Sequence, residues 1–595
     1  MGLVSELRRR NVLRMVVLYV VAAWLIMQVA EVLIGLAKLP DWVGTATLGL
    51  LAVGFPIALI FSWFYELTPE GISLEKDVAP GESITDITGR RLDFVVISLL
   101  SAAVILFAWH TWWTPEPPER SVAVLPFVPM TSGEDDGYFA DGLTEEILNA
   151  LAQLPELNVT ARTSSFFFKG QDIPVPEIAA RLNVAHIVEG SVRRDGERLR
   201  ITSQLVRAAD GFHLWSQAYD RASEDIFAVQ QDIAENIAEA LNVVLDDNAR
   251  QRMRNVGIRD VEAFIAYQKG VAAYNKAHEV HDYSNGLAIA NVYFDRVLEA
   301  VPGLTAARLM KVDSVGHNHQ RIVSGWRDEE YPGEAQDVLA ALREEYDLAW
   351  RLSQPGNQRD ILDLERTLFS NDWSRLPAKI RKAMQPGECT QLHWTADVIP
   401  QLGWAEQVAA KAREALACDP MEPNANAYLV WSLIWAGDAE GALQGIEQAK
   451  KRGVTFNSWD RYVATLAAGR AGDAMAMAMA SPGNIELRKI ERETLVGDTA
   501  MARQMATEYW SKPNVSYWSS LAVAATVGDR EKANQMAALI DAFPGSAVVL
   551  SVINSMCFCG AMFDLEAAPN YKARIEEADF PWPPPKRIDF PIKTW

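Results

Sequence analysis

Residues 121–151 read SVAVLPFVPMTSGEDDGYFADGLTEEILNAL. An apolar run, SVAVLPF, leads into a loop rich in glycine and acids, and that loop opens an amphipathic helix. A strand feeding a helix in this way begins an α/β unit. Five acids, Asp135, Asp136, Asp141, Glu145 and Glu146, crowd the junction. They are either working carboxylates or the dressing of a helix start. The reading places Asp141 before the helix and Glu145 and Glu146 in its first turn. Acids there meet free backbone amides and the positive end of the helix dipole, each contributing about 0.3–1 kcal/mol. Neither histidine nor lysine stands nearby in sequence to complete a catalytic group, so the acids are read as structural.

The pattern continues to about residue 250. LNVTARTSSFFF holds a second strand, and VPEIAARLNV a short helix with Pro176 near its start. From His186 to Arg221 apolar and polar residues alternate, with turns expected at Asp195-Gly196 and Asp210-Gly211. A helix then closes the unit, with Ser223 as its cap and Ile226, Val229, Ile233, Ile237 and Leu241 on one face.

From residue 256 to 595 the periodicity is helical only. Gly-Asp pairs recur at 437–438, 472–473, 497–498 and 528–529. Ala442, Ile446 and Ala449 follow Gly437 at offsets of five, nine and twelve; Ala533, Ala537 and Ile540 follow Gly528 at the same offsets. Small residues at fixed offsets let paired helices approach closely, the mark of a helical-hairpin array. Of the nineteen tryptophans, most are expected in the core and some on a concave face.

Residues 1–113 differ again. Apolar runs at 12–37, 44–64 and 94–113 each match the ~20 residues that cross a bilayer. Arg8, Arg9 and Arg10 precede the first, and Lys76, Arg90 and Arg91 follow the second. The positive-inside rule then sets the N-terminus and the loop 66–93 in the cytoplasm. Three crossings carry residues 114–595 to the periplasm of a bacterial inner membrane. Residues 114–120, TPEPPER, form an extended linker. Gln28 and Glu31, one helical turn apart in the first run, are read as packing or oligomer contacts.

A formal net charge of −21 argues against nucleic acid as a partner. Four cysteines occur: Cys389, Cys418, Cys557 and Cys559. None has CxxC spacing, and a Cys389–Cys418 bridge stays open.

The run SVAVLPF…YFADGLTEEI…ARTSSF…LNVAHIVEGSVRRDGERLRITSQLVRAADGFHLWSQAYDR…DIFAVQQDIAENI resembles the TolB N-terminal-like module. The helical part resembles the tetratricopeptide regions that follow that module, and residues 563–595 resemble their terminal cap. Together with the apolar front, this is similar to an adenylate-cyclase-labelled family of bacterial membrane proteins. The resemblance brings no catalytic motif, and no cyclase domain is present in the sequence.

The remaining candidates have plain alternatives. His278 with His281, and His317 with His319, are the close histidine pairs; a metal site needs both pairs to meet, and helix-surface histidines are commoner. Lys169-Gly170 lacks the rest of a phosphate loop. Arg193, Arg194, Arg198 and Arg200 form a basic hairpin tip, read as solvated. No catalytic, cofactor or metal residue is therefore assigned. The expected architecture is three transmembrane helices, a small α/β domain at 121–250 and an all-α tetratricopeptide-like superhelix. The expected role is a membrane-anchored periplasmic scaffold or assembly factor, binding protein partners through the repeat groove and the α/β domain and contacting the lipid bilayer. The alternative is a sensor coupling a periplasmic ligand to a cytoplasmic partner.

Overall fold

The computed structural model describes residues 117–584 with short gaps. Of the N-terminal residues it describes helical positions between 16 and 27, a helix over 47–56, and the strands β1 (Tyr65–Thr68) and β2 (Gly71–Leu74). The chain divides into two compact units, Met1–Glu116 and Pro117–Trp595.

In the first unit β1 and β2 form an antiparallel hairpin inside the segment expected as a loop. The expected three-span membrane anchor is corrected here. Among the described residues no helix is long and apolar enough to cross a membrane. The expected span at 94–113, and Gln28 and Glu31 in the first span, lie outside the described residues. The inner-membrane location, the periplasmic placement of 114–595 and the bilayer contact all rested on those crossings and fall with them. What stands is a mostly helical chain with a small mixed sheet.

The second unit opens with β3 (Ser121–Val124), β4 (Val128–Pro129), α1 (Asp136–Ala152), β5 (Asn158–Val159), α2 (Arg162–Phe166) and α3 (Val175–Leu182). Then come β6 (His186–Asp195), β7 (Arg198–Arg207), β8 (His213–Ala222), α4 (Ile226–Ala240) and α5 (Asp247–Arg254). The sheet runs β5-β3-β6-β7-β8, parallel across β5, β3 and β6 and antiparallel beyond. Alternate strand residues face opposite sides. Val122, Val124 and Val188 join a core with α1 and α4; Ala123 and Ile187 join another with α3. That second face is completed by Met421, Ala449 and Val454 from the helical array.

α1 starts earlier than its acids suggest. Its buried stripe begins at Phe139 and continues through Leu143, Ile147 and Leu151, so helix is needed from residue 136 onward. Glu145 and Glu146 therefore lie in its third turn. Of the three phenylalanines after Ser165, Phe166 ends the short helix α2 and Phe167 and Phe168 follow it, and none belongs to a strand.

The array comprises α6 (Val261–Val280), α7 (Asn285–Ala300), α8 (Thr305–Val323), α9 (Ala335–Leu352), α10 (Asn357–Leu368) and α11 (Leu376–Ala383). It continues through α12 (Thr395–Val398), α13 (Ala405–Cys418), α14 (Pro423–Ala436), α15 (Ala439–Arg452), α16 (Ser458–Ala467) and α17 (Ala471–Ala480). α18 (Ile485–Val496), α19 (Thr499–Trp510), α20 (Tyr517–Val527), α21 (Arg530–Asp541), α22 (Ser546–Ser555) and α23 (Pro569–Glu577) complete it. Gly437 and Gly528 end helices at φ +84° and +74°, a region open to glycine without a Cβ penalty. Asp438 and Asp529 then cap the next helices, accepting from Gly441 N and Lys532 N at 3.0 Å each. Ala442, Ile446, Ala449, Ala533, Ala537 and Ile540 are all buried. At 472–473 the pair lies inside α17, and the turn belongs to Gly469 at φ +74°.

The array closes on itself. α22 packs against α8 and α12. Tyr517 N donates to Ser324 O at 2.8 Å, and Asn554 Nδ2 to Gln401 Oε1 at 2.8 Å. One apolar cluster consequently runs from Val312 to Phe580. Its beginning docks on the α/β part: the Phe264 ring of α6 occupies the space a side chain would take at Gly142 of α1, edge-on to Phe139 with centroids 6.4 Å apart.

Phe264→Ala is expected to cost about 3–5 kcal/mol in urea unfolding. Hydrogen exchange should quicken along α1 and α6 while β6 and β7 keep their protection. Uniform loss across the molecule would contradict this local docking.

Candidate functional site

The acids of the opening stretch are tied up in packing. Asp135 pairs with Lys269 at 2.5 Å, and Asp141 with Lys169 at 2.5 Å. Asp136 Oδ2 accepts from Gly133 N at 2.9 Å. Glu145 accepts from Arg162 at 2.9 Å and from Gln268 of α6 at 2.8 Å. Glu146 is pushed up to about 8 by burial and by the neighbouring Glu145, against one opposing hydrogen bond from the Ile258 backbone. These five side chains fasten α1 to its surroundings. Lys169 serves Asp141, and Gly170 supplies a turn at φ +73°. Of the hairpin arginines, Arg193, Arg198 and Arg200 are exposed, and Arg200 lies 3.8 Å from Asp220.

The chemistry lies on the array. Several buried or half-buried aromatic and acidic side chains of its helices are hydrogen-bonded in pairs. Trp394 donates from Nε1 to Tyr346 Oη at 3.3 Å. Glu365 meets Nδ1 of His393 at 3.0 Å. Trp431 Nε1 donates to Asp460 Oδ1 at 2.7 Å. These residues also feel one another at a distance. Burial, then Asp397, Glu422, Tyr274 and Glu365, holds the Tyr428 phenol well above its ordinary value. Tyr428 of α14 and Tyr274 of α6 thus share one electrostatic environment, although seven α-helices separate them in sequence. The array curls enough to bring them together.

Asp397 has the most exceptional setting. Burial, and next the charge of Asp460, push its carboxyl well above the usual carboxylate range. Its Oδ1 is buried without a hydrogen-bond partner among the described residues. Burial pulls the His393 imidazole down, but Glu365 outweighs it and the net shift is upward.

At the array's start the histidines separate into two kinds. His319 is buried with Nε2 2.9 Å from Pro544 O, so it helps close the array. His281 lies outside the described residues. His278 and His317 do meet, with ring centroids 5.9 Å apart and Asp313 between them. Asp313 Oδ2 lies 3.1 Å from His278 Nε2 and 3.7 Å from His317 Nε2. Burial lowers His278, but Asp313 and the Tyr274 carbonyl more than reverse that; burial lowers His317.

Asp313, Asp397 and Tyr428 went unnoticed in the sequence. Asp313 and His317 are one helical turn apart on α8, a spacing that could have flagged them. Asp397 had no local signal. Cys418 is disulfide-bonded, and the other three cysteines lie outside the described residues.

A protein named "Putative adenylate cyclase 3" from Rhizobium meliloti (strain 1021) is 36% identical over 219 residues. The match covers 33% of this chain and 36% of that protein, so the chain spans about a third of the relative's length. No family model matches the chain.

Glu146 yields a pH prediction. Its folded value, about 8, exceeds its ordinary 4.5, so the folded chain binds the extra proton between those limits. Stability from this group is present below about 4.5 and is lost as pH rises toward 8. Glu146→Gln cannot titrate, so its melting temperature relative to the parent should rise steadily from pH 5 to pH 8. A flat difference across that range would show that Glu146 is not held protonated.

Proposed function

We propose that the chain is a non-enzymatic scaffold whose helical array grips a basic segment of a protein partner. The observation that carries this is Asp397: its Oδ1 is buried without a hydrogen-bond partner among the described residues, burial and Asp460 hold its carboxyl well above the usual range, and the Tyr428 phenol feels its charge. A carboxyl in such a place resists ionising unless a cation comes to it. An entering lysine or arginine supplies that charge, and Tyr428, Trp394 and Trp431 offer faces for its stem and for cation–π contact. Buried Tyr and Trp anchors of this sort are the usual source of binding energy in protein interfaces. In this reading the α/β part is a TolB N-terminal-like module and the array is tetratricopeptide-like. The alternating helices and the glycine–aspartate turns support the second of these.

A second reading, a signalling component, is favoured by the likeness to a protein whose name is that of a cyclase. The chain then transmits the state of its partner instead of merely holding it.

Fluorescent peptides of equal length and opposite charge, titrated into the full chain, test the proposal. Basic peptides containing aromatic residues should bind and acidic ones should not. Asp397→Asn should weaken binding about tenfold, roughly 1.4 kcal/mol. Trp431→Ala should weaken it as much or more, with melting temperature checked in both. Equal binding of both peptide classes, or indifference to both substitutions, would remove the groove reading. Formation of a cyclic nucleotide by the purified chain would overturn the non-enzymatic one. Partner cross-links that come and go with a small ligand would favour signalling over scaffolding.

A further inference from the structure

We infer that His278, Asp313 and His317 form a binding site for one zinc-class divalent transition ion, clipping α6 to α8. The inference begins with a hydrogen bond. His278 Nδ1 lies 3.0 Å from the Tyr274 carbonyl oxygen, which can only accept. Nδ1 must therefore carry the proton, and in the neutral ring the Nε2 lone pair points outward. It points at Asp313 Oδ2, 3.1 Å away, another electron-rich atom. That separation suits a hydrogen bond from a protonated ring, and it equally suits two donors sharing one metal ion, so a proton and a metal compete for the same place. A backbone carbonyl that fixes a histidine tautomer in this way is the usual outer support of a metal-bound imidazole.

The third donor stands in the right place. His317 is one turn beyond Asp313 on α8, and its Nε2 is 3.7 Å from the same carboxylate oxygen. All three donor atoms lie within 4.8 Å of one another. Tetrahedral bonds of ~2.0–2.1 Å place donors ~3.3 Å apart. Two of the three separations bracket that value, and side-chain rotation can close the third. Tyr283 stacks on the His317 ring at 4.1 Å with planes 12° apart, and Tyr274 packs on His278 at 4.4 Å. The rings are thereby held from behind.

The donor set chooses the ion. Two imidazoles and one carboxylate favour zinc, cobalt or iron over magnesium and calcium, which prefer all-oxygen shells. One coordination position stays free for water or a ligand atom. Close by, an open cavity of about 440 Å³ is lined by Tyr283, Ser314, Asn318 and Asp337. Asn318 Oδ1 is buried there without a partner among the described residues. None of its three donors is among the groups invoked for peptide binding, and the inference does not depend on that role.

The test uses the full chain, stripped with a chelator and titrated with zinc against a chromophoric competitor. About one equivalent should bind, at submicromolar Kd. His278→Ala and His317→Ala should each weaken that binding by ~100-fold or more, while His213→Ala, an exposed histidine elsewhere, leaves it unchanged. Cobalt should give visible d–d absorption without a thiolate charge-transfer band. Should either alanine variant fail to fold by circular dichroism, Asp313→Asn, nearly isosteric, decides through loss of the cobalt spectrum. Full binding by the His278→Ala/His317→Ala double variant would place the metal elsewhere. Absence of zinc binding by the parent chain at micromolar metal would end the proposal.

Discussion

A row of amphipathic helices always has two raw ends. Each helix buries its apolar stripe on its neighbours, but the first and last have a neighbour on one side only, and water must be kept from the other. That constraint organises this molecule. The first helix, α6, is covered by α1 of the α/β part, with Phe264 seated over Gly142. The last helices return to α8 and α12, held by hydrogen bonds from Tyr517 and Asn554. The middle is covered as well, since Met421, Ala449 and Val454 complete the second face of the sheet. The sheet needs that cover too: Ala123 and Ile187 face it and would otherwise meet solvent. Each part therefore finishes the other's core.

Closure of this kind has an electrostatic consequence. Side chains packed between the helices of the array lose water. Their carboxyls drift toward the protonated form and their phenols resist ionising, as Asp397, Tyr346 and Tyr428 do. An effective penalty of several kcal/mol for each unpaired buried ion is large beside a total stability of about 5–15 kcal/mol. A purely structural interior would carry leucine at such positions. The outer acids behave differently: Asp141 and Asp135 sit on lysines, and Glu145 on an arginine and a glutamine. Glu146, half-buried on α1 with no cation beside it among the described residues, is pushed up as Asp397 is, so pairing and not position on the array decides which acids keep their charge.

Much of the local structure was legible in the residues. Asp195-Gly196 and Asp210-Gly211 gave the two turns that join β6, β7 and β8, because glycine alone enters the required backbone region without penalty. The stripe from Ile226 to Leu241 gave α4, and matched offsets after Gly437 and Gly528 gave buried seams in α15 and α21. The start of α1 was misplaced because acids were weighed above the apolar period. The front of the chain misled more seriously. Hydropathy counts residues, whereas crossing a bilayer demands that they lie in one unbroken helix, and among the described residues no helix is long and apolar enough.

The functional groups were the least legible, for a physical reason. Sequence displays neighbours along a helix, but a curled array assembles its interior from residues dozens or hundreds of positions apart. His278 and His317 were visible as members of two pairs, yet the pairing that matters crosses from α6 to α8 and discards His281 and His319. Asp313 joins only because α8 carries it one turn from His317, and the carbonyl of Tyr274 turns His278 toward it. Asp397 and Asp460 approach because α12, α14 and α16 stack in order, with Trp431 reaching across to Asp460. In each case helix spacing supplies one contact and superhelical curvature supplies the next. Curvature depends on the sizes of many small buried residues at once, among them Ala412, Ala442 and Ala474. No single motif encodes it, and so the chemistry of the inner wall emerges only when the whole array is folded.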